Sequence, residues 1–286
     1  MWLIFAFGSA VFAGITAILA KIGIKNIDSD AATAVRTIIV LVFSWIMVFV
    51  TSSYSPLSSI SSKTLLFLVL SGAATGASWL CYFKALQKGN VNKVTPIDKS
   101  STVLTLLLAA IILKEKISAF GAFGIAAIAI GTYLMIVRKS DTPAKPEQKG
   151  WLFYAVLSAI FASLTAILGK IGISNIDSNL GTAIRTAVVL VMAWTVVFAE
   201  KKLHKVKDID KKSFIFICLS GITTGLSWLC YYKALHDGNA SIVVPVDKLS
   251  IIITIAFSYF ALKEKISAKS LIGLLMISSG TIMLIL

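Results

Sequence analysis

One offset organises this chain. Trp2 to Val137 returns as Trp151 to Leu286, 149 positions later, with no insertion or deletion. Ser78-Trp79-Leu80-Cys81-Tyr82 reappears as Ser227-Trp228-Leu229-Cys230-Tyr231, and Lys114-Glu115-Lys116-Ile117-Ser118 as Lys263-Glu264-Lys265-Ile266-Ser267. A period this long describes two copies of one small domain, not a solenoid unit. Each copy holds five apolar runs, and crossing a bilayer takes roughly 20 residues of helix. They cover 2–24, 33–50, 64–86, 94–113 and 119–137 in the first copy, and 151–173, 182–199, 213–235, 243–262 and 268–286 in the second. Such runs are helices, because a lone strand in lipid leaves its backbone groups unpaired. The expected fold is an all-α integral membrane protein with ten transmembrane helices. It divides into a first repeat (1–138), a polar linker (139–150) and a second repeat (151–286).

Composition agrees. Only 14% of residues are charged and 57% are hydrophobic, whereas soluble domains carry about a quarter charged residues. The first run lacks a basic leader and its copy begins mid-chain at Trp151, so it reads as a retained span and not a signal peptide. The net charge of +14 lies mostly in loops, which points to membrane orientation and not to nucleic acid. The three cysteines build no framework: Cys81 and Cys230 are repeat mates within spans, and Cys218 is unmatched.

Five spans per copy is an odd number, so the second copy enters the membrane from the opposite side. The halves then form an inverted repeat about an axis in the membrane plane. The loops test this independently. Lys25, Lys88 and Lys93 have as mates Ser174, Asp237 and Ile242, so the first and third loops lose their cations. The second loop does the reverse, because 51–63 carries a single lysine whereas 200–212 carries six. Lysine favours the cytoplasmic side. Both halves satisfy that rule only in opposite orientations, with the linker inside and both termini outside.

The third to fifth spans also carry a pattern. Tyr82-Phe83-Lys84-Ala85-Leu86, Gly89, Pro96, Leu113-Lys114-Glu115-Lys116-Ile117-Ser118, Gly124 and Gly131 resemble the EamA domain of the drug/metabolite transporter superfamily. The mates Tyr231 to Leu235, Gly238, Pro245, Leu262 to Ser267, Gly273 and Gly280 match equally. The resemblance implies ten helices as two inverted repeats, a central cavity, alternating access, and passage of small metabolites. It also implies cytoplasmic termini, against the lysine count; the charge bias is large in both halves and is preferred here. The small multidrug members of the superfamily use a glutamate in their first span, and neither the first nor the sixth span here has an acid.

Ionisable groups inside spans cost about 2.5–3.5 kcal/mol each at mid-membrane and are functional candidates. The pairs are Lys21/Lys170, Arg36/Arg185, Lys84/Lys233, Asp98/Asp247 and Lys99/Lys248. Snorkelling to headgroups accounts for Lys21 and Lys170 and competes with gating for Arg36 and Arg185. Asp98-Lys99 and Asp247-Lys248 follow Pro96 and Pro245, and a proline within a span frees a carbonyl where transporters bind solutes or ions. Lys84 and Lys233 are the expected partners of the two acids. A structural Asp–Lys lock and a coupling site both fit. The third span adds Ser71, Thr75, Ser78 and Tyr82 on one face, flanked by Trp79, with mates Ser220, Thr224, Ser227, Tyr231 and Trp228. A hydroxyl-and-aromatic stripe suits an apolar pocket with a few orienting groups; close helix packing over Gly72 and Gly76 explains part of it equally.

The expected function is secondary transport of a small, carboxylate-bearing or amino-acid-like metabolite across the cytoplasmic membrane by alternating access. The expected solute-binding residues are Ser78, Trp79, Tyr82, Lys84, Ser227, Trp228, Tyr231 and Lys233. The expected coupling or gating residues are Arg36, Asp98, Lys99, Arg185, Asp247 and Lys248. Partners are the small-molecule solute, membrane lipid and protons, but not nucleic acid, with the chain as monomer or homodimer. No cofactor, metal site or enzymatic motif is expected: His204 and His236 lack ligand partners, and Glu115 and Glu264 read as fixing loop geometry. A non-transporting scaffold and a lipid-carrier flippase are the alternatives.

Overall fold

A computed structural model describes residues 1–23, 27–53, 60–88, 97, 100–136, 149–260 and 268–286. The described elements are helices: α1 (Trp2–Gly23), α2 (Ser29–Val50), α3 (Ser62–Lys88), α4 (Ser101–Ile112), α5 (Ala119–Ile136), α6 (Trp151–Ile173), α7 (Ser178–Ala199), α8 (Leu203–Lys207), α9 (Lys211–Asp237), α10 (Ala240–Lys248), α11 (Ser250–Phe260) and α12 (Ala268–Ile285). Six of them, α1, α2, α3, α6, α7 and α9, are long and apolar enough to cross a membrane, and α4, α5 and α12 are shorter apolar helices. Asp98 and Lys99 lie outside the described residues.

Local sequence sets the helix ends. Asp28 accepts bonds from the amides of Asp30 (3.0 Å) and Ala31 (3.1 Å), and its mate Asp177 accepts from Asn179 (2.8 Å). These caps satisfy amides that the helix leaves orphaned. At the other end, Ser52 and its mate Lys201 turn left-handed, with φ of 51° and 54°. The amides of Ser53 and Lys202 then reach back to the Val48 and Val197 carbonyls, 2.9 Å in each case. This is the six-to-one bond that closes a helix C-terminus.

The two halves pack by exchange. Gly72 brings α3 against α7, where an added Cβ would sit 2.7 Å from Val188 and 2.9 Å from the Arg185 carbonyl. Its mate Gly221 brings α9 against Ile39 and the Arg36 carbonyl in the same way. On α5 and α12, Gly124 faces the Gly280 carbonyl (2.7 Å from an added Cβ) and Gly131 faces that of Gly273 (2.6 Å). As one number rises the other falls, so these mates run antiparallel. A two-fold axis relating antiparallel mates lies perpendicular to the helices. The repeats are inverted.

The ninth apolar run, expected as one span over 243–262, is instead two helices, α10 and α11, separated at Leu249. Pro245 lies within α10 and cannot donate to the Ser241 carbonyl, which weakens the helix at that turn. In the first repeat α4 begins at Ser101, the mate of the residue that opens α11. The short helix α8 in the basic loop was not anticipated from its composition.

Candidate functional site

A cavity of about 370 Å³ lies between the halves. Its walls come from α1, α3, α4, α6, α7, α9 and α10, so both repeats contribute. Of the residues expected to bind or gate, Trp79, Arg185, Ser227, Trp228, Tyr231, Asp247 and Lys248 line it. A second cavity of about 360 Å³ shares Ala13, Thr102 and Lys248 with the first and extends toward α5 and α12.

Arg185 is the electrostatic centre of the first cavity. It sits two turns into α7 and is only 2% exposed. Because Gly72 lets α7 approach α3, the guanidinium reaches two hydroxyls there. Nε donates to Ser71 Oγ (3.0 Å) and Nη2 to Thr75 Oγ1 (2.7 Å). Ser71 Oγ in turn donates to the Thr165 carbonyl on α6 (2.7 Å). From α9, the rings of Trp228 and Tyr232 lie 5.0 and 4.7 Å from the guanidinium carbon. Tyr232 is held edge-on to Tyr231, centroids 5.2 Å apart. All these neighbours are neutral, so they solvate the cation without cancelling it. Nη1 is buried with no hydrogen-bond partner among the described residues. No described carboxylate forms an ion pair with this arginine.

The mate does not match. Arg36 makes no bond to Ser220 or Thr224, the counterparts of Ser71 and Thr75, and does not line the cavity. One conserved repeat position therefore occupies two environments in one molecule.

Asp247 stands on the last turn of α10, just before the break. Its Oδ1 accepts from Ser9 Oγ at 2.5 Å, the short length of a charge-assisted bond. Its Oδ2 lies 4.0 Å from Lys248 Nζ. Ser227 Oγ donates to the Ser9 carbonyl (3.2 Å), fixing α9 to α1 beside the acid. The expected partner Lys233 goes elsewhere: it pairs with Asp237 one turn along α9, at 3.0 Å. In an i, i+4 helix pair the nearer carboxylate wins.

Other expected residues have structural surroundings. Ser78 donates to the Ser158 carbonyl on α6 (3.0 Å), the mirror of Ser227 on Ser9. Tyr82 packs in a small cluster around Ala85 and Ala155 with Trp151 and Tyr154. Lys84 is exposed. The pattern of residue types missed Thr102, Thr105, Thr165 and Tyr232, which also line the cavity.

Two polar clusters join the halves away from the cavity. Glu115, 6% exposed, accepts from the amides of Ala240 and Ser241 at 2.8 Å each and faces Lys170 Nζ at 3.5 Å. Lys170 also donates to the Gly238 carbonyl. Glu115 thus caps α10 of the opposite repeat, a wider role than shaping its own turn. On the other cluster, Lys202 binds Asp30, with Glu200 at 2.7 Å and Asp28 at 3.5 Å. The mate of Asp30 is Asn179, which instead donates to Thr51 (3.1 Å) and approaches Ser53 (3.4 Å).

Inverted helical repeats around a cavity walled by both halves are the architecture of a membrane transporter. The chain belongs to the EamA-like transporter family, whose pattern it matches over residues 1–137 and 149–286. An uncharacterized transporter in the cobO 3′ region of Sinorhizobium sp is 43% identical over 136 residues, which is 48% of this chain and 96% of that protein. The uncharacterized transporter YxxF of Bacillus subtilis is 24% identical, covering 71% of this chain and 64% of its own length. The probable magnesium transporter NIPA6 of Arabidopsis thaliana is 26% identical, covering 67% and 65%. A protein crystal structure superposes with a TM-score of 0.76 at 13% identity, over 98% of this chain and 94% of that one. That likeness concerns the fold.

Proposed function

We propose that the protein is a secondary transporter that carries a small carboxylate-bearing, amino-acid-like metabolite across the cytoplasmic membrane by alternating access. The observation that carries this reading is Arg185 Nη1, a buried donor without a partner among the described residues, in a cavity walled by both repeats. An unpaired buried donor costs about 1–3 kcal/mol, and more when charged, so an anionic solute entering the cavity regains what the apo protein forgoes. The volume falls within the roughly 300–1,000 Å³ of small-molecule sites. A scaffold would be expected to fill its centre with apolar side chains, and this centre is hollow, with an arginine, a carboxylate and several hydroxyls set among apolar and aromatic walls. Trp79, Trp228, Tyr231 and Ser227 form the solute-facing surface in this reading, and Lys248 guards its edge.

Asp247, with Asp98 as its repeat mate, is the proposed proton-coupling group. Transport unchanged in Asp98→Asn and Asp247→Asn would remove coupling from the scheme. The lysine distribution puts the linker and the 200–212 loop in the cytoplasm. Single cysteines at Ser140 and Ser213 should therefore be protected from impermeant reagents added outside intact cells, and labelling there would reverse the orientation.

The transport reading is tested by thermal stabilisation of the purified protein against metabolite pools, followed by counterflow of each hit in proteoliposomes. Carboxylates should dominate the hits and exchange across the membrane. A set of stabilising ligands none of which exchanges would overturn it.

A further inference from the structure

We infer that the cavity recognises a zwitterion, seating the carboxylate on Arg185 and a primary ammonium against Asp247. This rests on the proposal that the cavity carries the solute. Three observations bear on it. Among the described residues, the side chains that bind Arg185 are hydroxyls and aromatic rings that leave its positive charge uncompensated, and its Nη1 has no partner. Asp247 faces the same space with one oxygen held by Ser9 and the other 4.0 Å from Lys248 Nζ, its nearest cation among the described residues. The same lining includes Trp228 and Tyr231, a surface for an apolar or aromatic side chain rather than for further charge.

Charge arithmetic then discriminates between solutes. A simple monocarboxylate satisfies Arg185 but brings a second anion to the side of Asp247, which the half-exposed Lys248 offsets only from 4.0 Å, inside a low-dielectric cavity where like charges repel strongly. A simple amine satisfies Asp247 and meets Arg185. A dicarboxylate makes the first problem worse. A molecule carrying both an ammonium and a carboxylate completes both groups and adds no net charge, which also keeps its own transfer inexpensive. Hydrogen bonds to charged partners are strong enough for each arm to discriminate by about tenfold or more.

The test needs no mutation at first. The purified protein in detergent is titrated with L-leucine, 4-methylpentanoate and 3-methylbutylamine, and with L-phenylalanine, 3-phenylpropionate and phenethylamine. Thermal stabilisation by at least one amino acid is expected, with its two single-charge analogues needing about tenfold or higher concentration for the same shift. Asp247→Asn should bring the deaminated analogue level with the amino acid while the amine stays weak. An acid as effective as its amino acid in the wild type overturns the ammonium arm, and an equally effective amine overturns the Arg185 arm. If neither amino acid stabilises while another solute class exchanges in proteoliposomes, the zwitterion inference fails and the transport reading stands. If no solute of any class exchanges, the transport reading itself fails.

Discussion

The guanidinium carbon of Arg185 lies 5.0 Å above the ring of Trp228. With Tyr232 at 4.7 Å, the ring helps hold a cation that has no acidic partner among the described residues. A desolvated cation–π contact contributes about 2 kcal/mol. Trp228→Leu should therefore fold, yet weaken binding of the stabilising solute by about tenfold, read as a shift in the thermal-stabilisation midpoint. Arg185→Lys should do more, because a lysine ammonium cannot serve Ser71, Thr75 and a carboxylate from one planar fork. Unchanged solute affinity in both variants would remove this residue pair from the site.

Helices α5 and α12 meet backbone to backbone at Gly124 and Gly280, where either added Cβ falls within 2.7 Å of the other residue's carbonyl oxygen. Neither neighbour is a flexible side-chain tip that could swing away. Gly124→Ala and Gly280→Ala should each cost about 1–3 kcal/mol, seen as a lower unfolding temperature in detergent. The double variant should cost less than the sum, because one shift of the helix pair relieves both clashes.

Glu115 closes the N-terminus of α10 with two 2.8 Å bonds that span the repeats. Glu115→Ala removes both acceptors and strands the charge of Lys170. The expected loss is about 1–2 kcal/mol, with faster hydrogen exchange at the amides of Ala240 and Ser241. Glu115→Gln should recover part of the protection through its remaining carbonyl. Equal exchange in all three proteins would show that the cap is not made in solution.

Lys202 and Asp30 tie α2 to the turn after α7. Burial pulls the Lys202 pKa down, but hydrogen bonds to Asp30 and Glu200 and the charges of Asp30 and Asp28 outweigh it, and the pKa ends raised. A raised lysine pKa contributes stability that is complete below the unfolded value, about 10.4, and is lost only as pH climbs through the folded one. Thermal stability attributable to this lysine should thus be flat between about pH 6 and 9. Salt should weaken it instead, and Lys202→Met should abolish that salt dependence. The mated contact of Asn179 with Thr51 is neutral and should show none.

The repeat, the spans and the inversion were legible because membrane insertion writes them locally, as apolar runs and misplaced lysines. The break in the ninth run was legible only in part: Pro245 marked a weakened turn, but the uninterrupted apolar run over 243–262 hid the division into two helices at Leu249. Residue pairing was not legible. Lys233 was assigned to Asp247, but Asp237 on its own helix is nearer along the chain and takes it. Thr165 and Tyr232 escaped notice because their place depends on how α6 settles against α3 and α9 across Gly169, where an added Cβ would fall 2.7 Å from the Tyr232 ring. Arg36 and Arg185 looked equivalent because sequence symmetry cannot show which of two mates lies beneath the hydroxyls. Glu115 was visible as a motif, but the amides it binds lie 125 residues or more away.

The exchange-paired seam has a genetic consequence. Every contact between α5 and α12 is a meeting of one repeat with the other, and the glycine pairs that form it lie within the repeats. Covalent continuity is then dispensable for assembly. Residues 1–138 and 149–286 produced from two separate genes should insert with opposite polarity, find each other, and co-purify as a complex with the solute affinity of the single chain.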